Sequence, residues 1–150
     1  MRLVIQRVSK ADVVVEGQLI NSIEQGLMIL VGVEKGDNDK DIDWLAAKTA
    51  NLRIFPDEEG IMNLSISDIN GEILAISQFT LTASTKKGNR PSYIRAETPS
   101  LADKLYNDFC NSLSMLIRKE VKKGIFGADM KVTLTNDGPV TIIIDSRIKE

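Results

Sequence analysis

The sequence predicts an α/β domain with mixed or antiparallel sheets and two main helices. Short runs that are β-branched, alternating or continuously apolar recur along the chain, which is typical of strands. Two longer stretches instead repeat apolar residues at the spacing of a helix. The length of 150 residues fits one domain, residues 1–150, with a sizeable core.

The first predicted strand runs from Leu3 to Val8 and alternates in polarity. Arg7 falls on the same face as Leu3 and Ile5, which is the face expected to be buried. An inward arginine needs a partner, because an unpaired buried charge is costly. Two roles stay open for it: a salt bridge, or an anchor for a functional loop.

A hairpin and a buried strand follow along the chain. Val13–Val15 and Gln18–Ile20 flank Glu16–Gly17, a pair suited to a tight turn. The continuous apolar run from Gly26 to Val33 predicts a strand that is buried on both faces.

The first helix is introduced by Gly36–Asp39, which supplies a turn and an N-cap. Its apolar positions at helical spacing are Ile42, Leu45, Ala46, Thr49 and Leu52. We expect it to end near Leu52–Arg53, ahead of Pro56. The acidic turn Asp57–Gly60 is expected to be solvated, because its carboxylates lack the spacing of an EF-hand loop.

Glu72–Leu81 predicts a further strand, and the run turns polar at Ser77–Gln78. Either the strand leaves the core there, or its end presents hydroxyl and free N–H groups to a ligand. The polar, glycine-bearing stretch Thr82–Tyr93 comes next and is long enough to be a binding loop.

The second helix is expected to begin at Thr98–Pro99, with threonine as N-cap and proline in the first turn. Its predicted core stripe is Leu101, Leu105, Phe109, Leu113, Leu116 and Ile117. The helix should end between Arg118 and Gly124. Cys110 lies beside the stripe and is expected to be a buried thiol.

The C-terminal stretch Thr135–Thr141 interrupts two strand-like runs, Lys131–Leu134 and Ile142–Ile144. Its turn-forming residues predict a hairpin with Gly138–Pro139 at the tip. A second interpretation starts from a glycine without a Cβ and a proline without an N–H. The carbonyls of this pair could then stand free of any ladder, to bind an amine or exclude a side chain.

The amino-acid composition excludes several kinds of catalytic site. The chain has no histidine and one cysteine, which excludes zinc centres and Ser-His or Cys-His nucleophiles by inventory. We expect no metal and no cofactor. No apolar run reaches the ~18 residues of a membrane span, and the charged start at Met1–Arg7 is unlike a secretory signal. A lone cysteine cannot form an internal disulfide, so a cytoplasmic protein without a membrane partner is expected.

The net charge of −2 argues mildly against a broad polyanion-binding surface. Two local basic clusters remain: Lys86–Arg90 together with Arg95, and Arg118–Lys123. A solvated face is the simpler interpretation of each cluster, and a nucleic-acid contact is the alternative.

Three motifs together resemble one family, the D-aminoacyl-tRNA deacylases of bacteria and eukaryotes. They are Ser77–Leu81, Lys87–Tyr93 and Asn136–Thr141. Supporting matches are Ile5–Val8, Leu52–Phe55, Met62–Asn63 and Phe126–Met130. The order and spacing of the motifs make the likeness specific, and it covers nearly the whole chain.

The resemblance implies a hydrolase that cleaves D-aminoacyl-tRNA, and mischarged glycyl-tRNA, as chiral proofreading in translation. It implies a homodimer of three-layer α/β/β subunits with each active site at the interface. The implied catalytic residues are Ser77, Gln78, Phe79 and Thr80, and the implied substrate-binding residues are Gly138, Pro139, Arg7, Phe126 and Met130.

Each implied residue has a role in the resemblance. Gly138–Pro139 would be cis and would reach into the partner's pocket, where its carbonyls hold the amine side and leave no room for an L side chain. Arg7 would orient that loop. Phe126 and Met130 would contribute to the pocket for the terminal adenosine.

The implied chemistry suits a chain without histidine, because an aminoacyl ester is already activated. N–H groups near Gln78 and Phe79 could stabilise the developing oxyanion, each donor contributing roughly 3–4 kcal/mol. Ser77 or Thr80 could position water. A covalent Thr80 is the weaker option, because no histidine activates it. The resemblance also implies that a ribose hydroxyl of the tRNA assists.

Three positions depart from the family's common pattern: Ile61 replaces a usual lysine, Ser84 a common aspartate and Tyr93 a commoner phenylalanine. The first two alter charge near an expected tRNA contact. Two other functions stay open. One is a binding module that holds RNA 3′ ends without turnover, and the other is an acyl hydrolase that uses Ser77 or Thr80 covalently.

Overall fold

The computed structural model describes residues 1–149. Its elements, in chain order, are β1 (Arg2–Val15), β2 (Gln18–Ile23), β3 (Gly26–Gly32), α1 (Asp39–Asn51), β4 (Phe55–Pro56), β5 (Met62–Leu64), β6 (Glu72–Ser77), a 3-10 helix (Phe79–Thr82), α2 (Pro99–Ile117), β7 (Lys122–Lys123) and β8 (Met130–Asp145). No helix in this described part combines the length and apolar character needed to cross a membrane.

One mixed sheet organises the molecule. Its strand order is β2-β1-β3-β6-β7, and β8 pairs with the other side of β1. The β3–β6 and β6–β7 pairs are parallel, whereas β1 is antiparallel to β2, β3 and β8. Strands β4 and β5 form a separate small ribbon. The mixed sheet and the two helices predicted from the sequence are confirmed.

Two apolar clusters show that the sheet is covered on both faces. Leu27 and Ile29 belong to the cluster that contains the buried residues of both helices. Met28, which points the opposite way on β3, belongs to a second cluster with Ala11 and Val13 of β1. Alternate residues of a strand face opposite sides. The long strands therefore curl over the face that the helices leave open, which gives the three-layer α/β/β arrangement.

The predicted N-terminal elements are confirmed, except that the predicted strands Leu3–Val8 and Val13–Val15 are parts of one continuous strand, β1. Glu16 and Gly17 form the β1–β2 turn, both with positive φ (50° and 77°), as a tight two-residue hairpin requires. Asn38 caps α1 in a capping box with Asp41. The helix ends at Asn51, one residue before the predicted boundary.

The second helix differs in detail from the prediction. It begins at Pro99 as expected, but it ends at Ile117, because Arg118 adopts a left-handed conformation with φ 54°. Leu101 and Leu116 of the predicted stripe are exposed. Their place in the buried face is taken by Ala102, Tyr106 and Cys110, which lie with Leu105, Phe109 and Leu113.

Cys110 is buried, as predicted. Burial raises the pKa of its thiol to about 12, and this outweighs the opposing influence of the nearby Lys123 charge and of a hydrogen bond with Tyr106. The thiol is therefore protonated at neutral pH.

The predicted hairpin at Gly138–Pro139 is wrong. Strand β8 runs without a turn along the whole of β1. Gln6 pairs with Thr141 and Val8 pairs with Asn136, so residues 137–140 of β8 lie opposite Arg7 alone. The turn-forming residues build a four-residue bulge, and the chain continues in the same direction. This segment is called the β8 bulge below.

The predicted strand Glu72–Leu81 is also too long. β6 ends at Ser77, and Phe79–Thr82 form a 3-10 helix. Leu81 donates its N–H to the Gln78 carbonyl at 3.2 Å and Ala83 donates to Thr80 at 3.1 Å. These short-range hydrogen bonds replace the β-sheet pairing with β3 that a longer strand would have made.

Candidate active site

The end of β6 is the first part of the candidate site. Ser77 is the last residue paired with β3, opposite Val31. Gln78 still donates its N–H to the Val31 carbonyl at 2.7 Å. The expectation that the Gln78 N–H is available for an oxyanion is therefore wrong. Phe79 and Thr80 instead open the 3-10 helix, and N–H groups in a helix's first turn have no partner within it.

The side chains at this strand end form a small polar group. Gln78 donates from Nε2 to the hydroxyl of Thr80 at 2.5 Å. Thr82 donates its hydroxyl to the Phe79 carbonyl at 2.8 Å. Both bonds are local, so they fix the conformation of the 3-10 helix itself.

Two arginines hold the far end of the 3-10 helix. Arg2 donates from Nη1 to the Leu81 carbonyl at 2.9 Å. Arg95 donates from Nε and Nη2 to the Thr82 carbonyl at 3.2 and 3.1 Å. Arg2 is itself paired with Asp145 at 2.7 Å. The last carbonyl groups of the 3-10 helix therefore accept hydrogen bonds from arginines that belong to other parts of the fold.

A cavity of about 490 Å³ opens beside the strand end. Ser77, Gln78 and Phe79 line one part of it. Phe126 and Met130 line another part, and Ala102 and Tyr106 of α2 also contribute. The lining is largely apolar, as ligand pockets usually are. The structure thus brings Ser77, Gln78, Phe79, Phe126 and Met130 together, whereas Thr80, Arg7, Gly138 and Pro139 are not among the lining residues.

The ionisable groups that line the cavity are already engaged. Burial raises the pKa of the Tyr106 phenol far above its ordinary value, and its hydroxyl donates to the Ala75 carbonyl at 2.8 Å. Glu97 accepts the Thr98 N–H at 2.7 Å. Asp129 is paired with Lys131 at 2.9 Å. The cavity therefore offers main-chain and hydroxyl groups more readily than a free base.

Residues 1–149 contain no group of three or more His, Cys, Asp or Glu side chains that could hold a metal ion.

Arg7 organises the β8 bulge. It is only 8% exposed. Its Nε donates to the Asp137 carbonyl at 2.9 Å, and its Nη1 donates to the Ile54 carbonyl at 2.6 Å. The same Nε lies 3.4 Å from the Asp137 carboxylate. The predicted salt bridge of Arg7 is therefore confirmed, and Arg7 also holds the main chain of the β8 bulge. A functional role for that bulge stays a prediction.

The Gly138–Pro139 peptide bond is cis. Gly138 has φ 129°, a conformation that L side chains rarely adopt. An ideal Cβ there would lie 2.9 Å from Val140 Cγ2 and 3.0 Å from Arg7 Nη2. The bulge thus requires glycine at this position for both conformation and space.

The β8 bulge faces outward. Gly138 and Pro139 are exposed, and β8 pairs with β1 alone among the described strands. The same edge exposes Ile143, whose relative exposure is 62%. A long exposed edge strand that carries apolar side chains is a surface suited to association.

Sequence reasoning missed Tyr106 and Glu97 as lining residues. Tyr106 carried a recoverable signal, because it lies four residues after Ala102 and four before Cys110, on one helix face. Glu97 lies in a loop and has no periodic signal.

Comparison with known proteins identifies the fold. The family described as D-Tyr-tRNA(Tyr) deacylase matches residues 4–145. The chain belongs to this family. A relative from Flavobacterium psychrophilum named D-aminoacyl-tRNA deacylase is 59% identical over 150 residues, covering 100% of both chains.

Two solved structures share this fold. The chain titled "c-Myc DNA Unwinding Element Binding Protein" is 40% identical with a TM-score of 0.92, covering 97% of this chain and 98% of that one. A second, titled as a probable eukaryotic D-amino acid tRNA deacylase, has a TM-score of 0.82 at 15% identity, covering 95% and 97%. The latter likeness concerns the fold alone.

Proposed function

We propose that this chain hydrolyses the ester bond of D-aminoacyl-tRNA, releasing free tRNA and the D-amino acid. Family membership and the name of the 59% identical relative support this assignment. The structural observation that carries it is the cavity beside Ser77–Phe79, where a strand end turns into a 3-10 helix with N–H groups in its first turn. We also expect a cytoplasmic location.

The proposed reaction is attack by water on the ester carbonyl. The carbon–oxygen bond to the ribose breaks, and the ribose oxygen takes up a proton. The Phe79 and Thr80 N–H groups are the donors proposed for the developing oxyanion, each contributing about 3–4 kcal/mol. The Thr80 hydroxyl accepts a hydrogen bond from Gln78 at 2.5 Å and is proposed to orient the attacking water. The tRNA's own ribose hydroxyl is proposed to assist, since the chain has no histidine to act as a base.

Phe126 and Met130 are proposed to hold the terminal adenosine. They belong to the apolar lining of the same cavity as Ser77 and Phe79. An apolar wall suits the flat face of a base, whereas the polar strand end suits an ester. In this proposal the adenine base contacts the apolar wall, and the ester contacts the polar strand end.

Chiral selection is proposed to come from a second copy of the chain. Gly138 and Pro139 are exposed residues. In this arrangement their carbonyls enter the partner's cavity, hold the substrate amine and exclude an L side chain. The outward position of the β8 bulge on an exposed edge strand supports a homodimer. Glycine has no side chain to exclude, so glycyl-tRNA should also be cleaved.

The direct test mixes the purified protein with D-Tyr-tRNA and with L-Tyr-tRNA. We expect cleavage of the D-ester and survival of the L-ester. Equal cleavage of both, or of neither, would contradict the proposed function. Uncleaved D-Tyr-tRNA that is retained in a gel shift would favour the binding module instead.

Substitution of Thr80 separates hydrolysis by water from covalent catalysis. If the backbone supplies most of the stabilisation, Thr80→Ala keeps substantial activity, within about tenfold of the original. A trapped acyl-enzyme, or complete loss of activity in Thr80→Ala, would favour the covalent acyl hydrolase.

Subunit mixing tests the shared site. One variant, Gly138→Ala, damages the bulge, and another, Ala128→Trp, fills the cavity that Ala128 lines. A mixed dimer would still contain one intact cavity facing one intact bulge. Random re-association of the two variants should therefore restore about a quarter of the sites. No recovery in verified mixed dimers would place the bulge and the cavity in the same subunit.

A further inference from the structure

Residues 85–91 form a projecting loop with a fixed base. Ser84 and Ser92 exchange two backbone hydrogen bonds, both of 2.9 Å. This bridge joins the two ends of the loop like the last pair of a hairpin. The three cations of the loop, Lys86, Lys87 and Arg90, are all exposed.

Within the described part of the chain, the charge of this loop is not neutralised. None of the ion pairs among residues 1–149 includes a cation of the loop. The other basic cluster is bound more closely to the fold, although, among the described residues, its charge is neutralised only at Lys122. Lys122 pairs with Glu72 at 2.9 Å, Lys123 donates to the Asn107 side chain and Lys119 donates to the Asn70 carbonyl.

Both ends of the loop lie beside the cavity. On one side, the chain enters it from the 3-10 helix that begins at Phe79. On the other side, Tyr93 packs edge-on against the Phe79 ring, with centroids 5.0 Å apart, and Ala96 and Glu97 line the cavity. The loop therefore stands next to the part of the site assigned to the ester.

The geometry points to a phosphate-binding surface: Lys86, Lys87 and Arg90 contact the phosphate backbone of the tRNA arm that carries the aminoacylated 3′ end. This inference rests on the proposed function, and it specifies which part of the tRNA the protein contacts. A net charge of −2 makes a local, unpaired cationic loop the fitting contact for such a polyanion. Lysines supply point charges to phosphates, and arginine can bind them bidentately.

The test compares two substrates, D-Tyr-tRNA and D-tyrosyl-adenosine, which has the ester but no tRNA arm. The measured quantity is the ratio of kcat/KM for the tRNA to kcat/KM for the adenosine ester. In Lys86→Ala/Lys87→Ala this ratio should fall about tenfold at 50 mM salt, and the deficit should shrink towards 200 mM. Loss of two phosphate contacts makes the logarithmic salt dependence shallower by about 1.4–1.8.

Two control variants test charge and position. Lys86→Arg/Lys87→Arg keeps the charge and should keep the ratio. Lys40→Ala/Lys48→Ala removes the same charge from exposed positions of α1, away from the cavity lining, and should leave the ratio unchanged. Equal melting temperatures show that the exposed loop substitutions leave the fold intact.

Three results would overturn the inference: an unchanged ratio in the loop variant, an equal loss on both substrates, or the same fall in the α1 control. Failure of the proposed function is a different result. In that case the unsubstituted protein itself would cleave neither substrate.

Discussion

The end of β6 and the β8 bulge both interrupt strands of one sheet, but they do so in opposite settings. At Ser77 the strand stops, and the chain folds into a 3-10 helix beside a cavity of about 490 Å³. At residues 137–140 the strand swings out and then resumes, on an exposed edge. The first interruption builds a concave surface from one chain, and the second builds a projection.

The difference fits the proposal that each active site is built from two parts, one contributed by each of two copies of the chain. The cavity is bounded by elements of its own subunit, and its polar end is fixed by Arg2 and Arg95. The projection is fixed by Arg7, yet its glycine and proline face outward. A projection that is anchored to the fold and exposed to solvent is the part suited to enter a second copy, as the proposed function requires.

The largest expected effect comes from substituting the projection. Gly138→Ala places a Cβ 2.9 Å from Val140 Cγ2 at φ 129°. Such strain costs of order 1–3 kcal/mol, so the bulge must shift. We expect kcat/KM on D-Tyr-tRNA to fall about 100-fold, with poorer discrimination against L-Tyr-tRNA.

The matched control for this prediction is Gly17→Ala. Gly17 also has positive φ, 77°, but no atom lies within 4 Å of its ideal Cβ. This variant should lose some stability and keep its activity. If Gly138→Ala retained full activity and full discrimination, the bulge would have no part in selection.

The next effect concerns the anchor of the projection. Arg7→Ala leaves the buried Ile54 carbonyl and the Asp137 carbonyl without their donor. We expect a loss of about 3 kcal/mol in the free energy of unfolding, measured by urea denaturation. Activity should fall at least tenfold even where the protein is fully folded. Arg7→Lys keeps the charge but cannot reach both carbonyls, so it should be intermediate; a fully active Arg7→Ala would contradict the anchoring role.

A smaller effect is expected at the anchor of the cavity. Arg95→Ala removes the donors that hold the Thr82 carbonyl. We expect the 3-10 helix to be positioned less accurately, so kcat on D-tyrosyl-adenosine should fall. The fall should be limited to about tenfold, because the helix keeps its own hydrogen bonds. KM should change little, because the apolar lining is intact. An unchanged kcat would show that the helix is positioned without Arg95, and Arg95→Lys should restore part of the rate.

The smallest expected effect is the contribution of Asp145 to the pH dependence of the free energy of unfolding. Burial pushes the pKa of Asp145 upward, but the Arg147 N–H, the Arg2 side chain and nearby positive charge more than offset this, so the pKa lies below its ordinary 3.8. The stabilisation is therefore complete above about pH 4 and is lost as the pH falls through the lowered pKa. Urea unfolding between pH 2 and 7 should show a shallower acid loss in Asp145→Asn. Identical acid profiles would contradict this role.

Local sequence patterns were sufficient to predict much of the fold. Alternation along β1 placed Arg7 on the buried face, because neighbouring positions already determine which side a residue occupies. The turn at Glu16–Gly17 and the capping box at Asn38 were predictable for the same reason, since their hydrogen bonds are formed by residues close in sequence.

The candidate site was less predictable where distant strands decide the conformation. Residues 137–140 have the composition of a turn, but the long pairing of β8 with β1 converts that turn into a bulge. The availability of the Gln78 N–H depends on Val31, which is far away in sequence. The single-chain cavity could be expected at Ser77–Phe79, whereas the contribution of Glu97 depends on tertiary packing.

The deeply buried thiol of Cys110 has a practical consequence. It is the single cysteine of the chain, and its pKa of about 12 keeps it unreactive at neutral pH. A cysteine introduced at the exposed Asn89 would therefore be the one sulfur to react with a maleimide dye. Fluorescence from that position would report directly on how the tip of the loop approaches RNA.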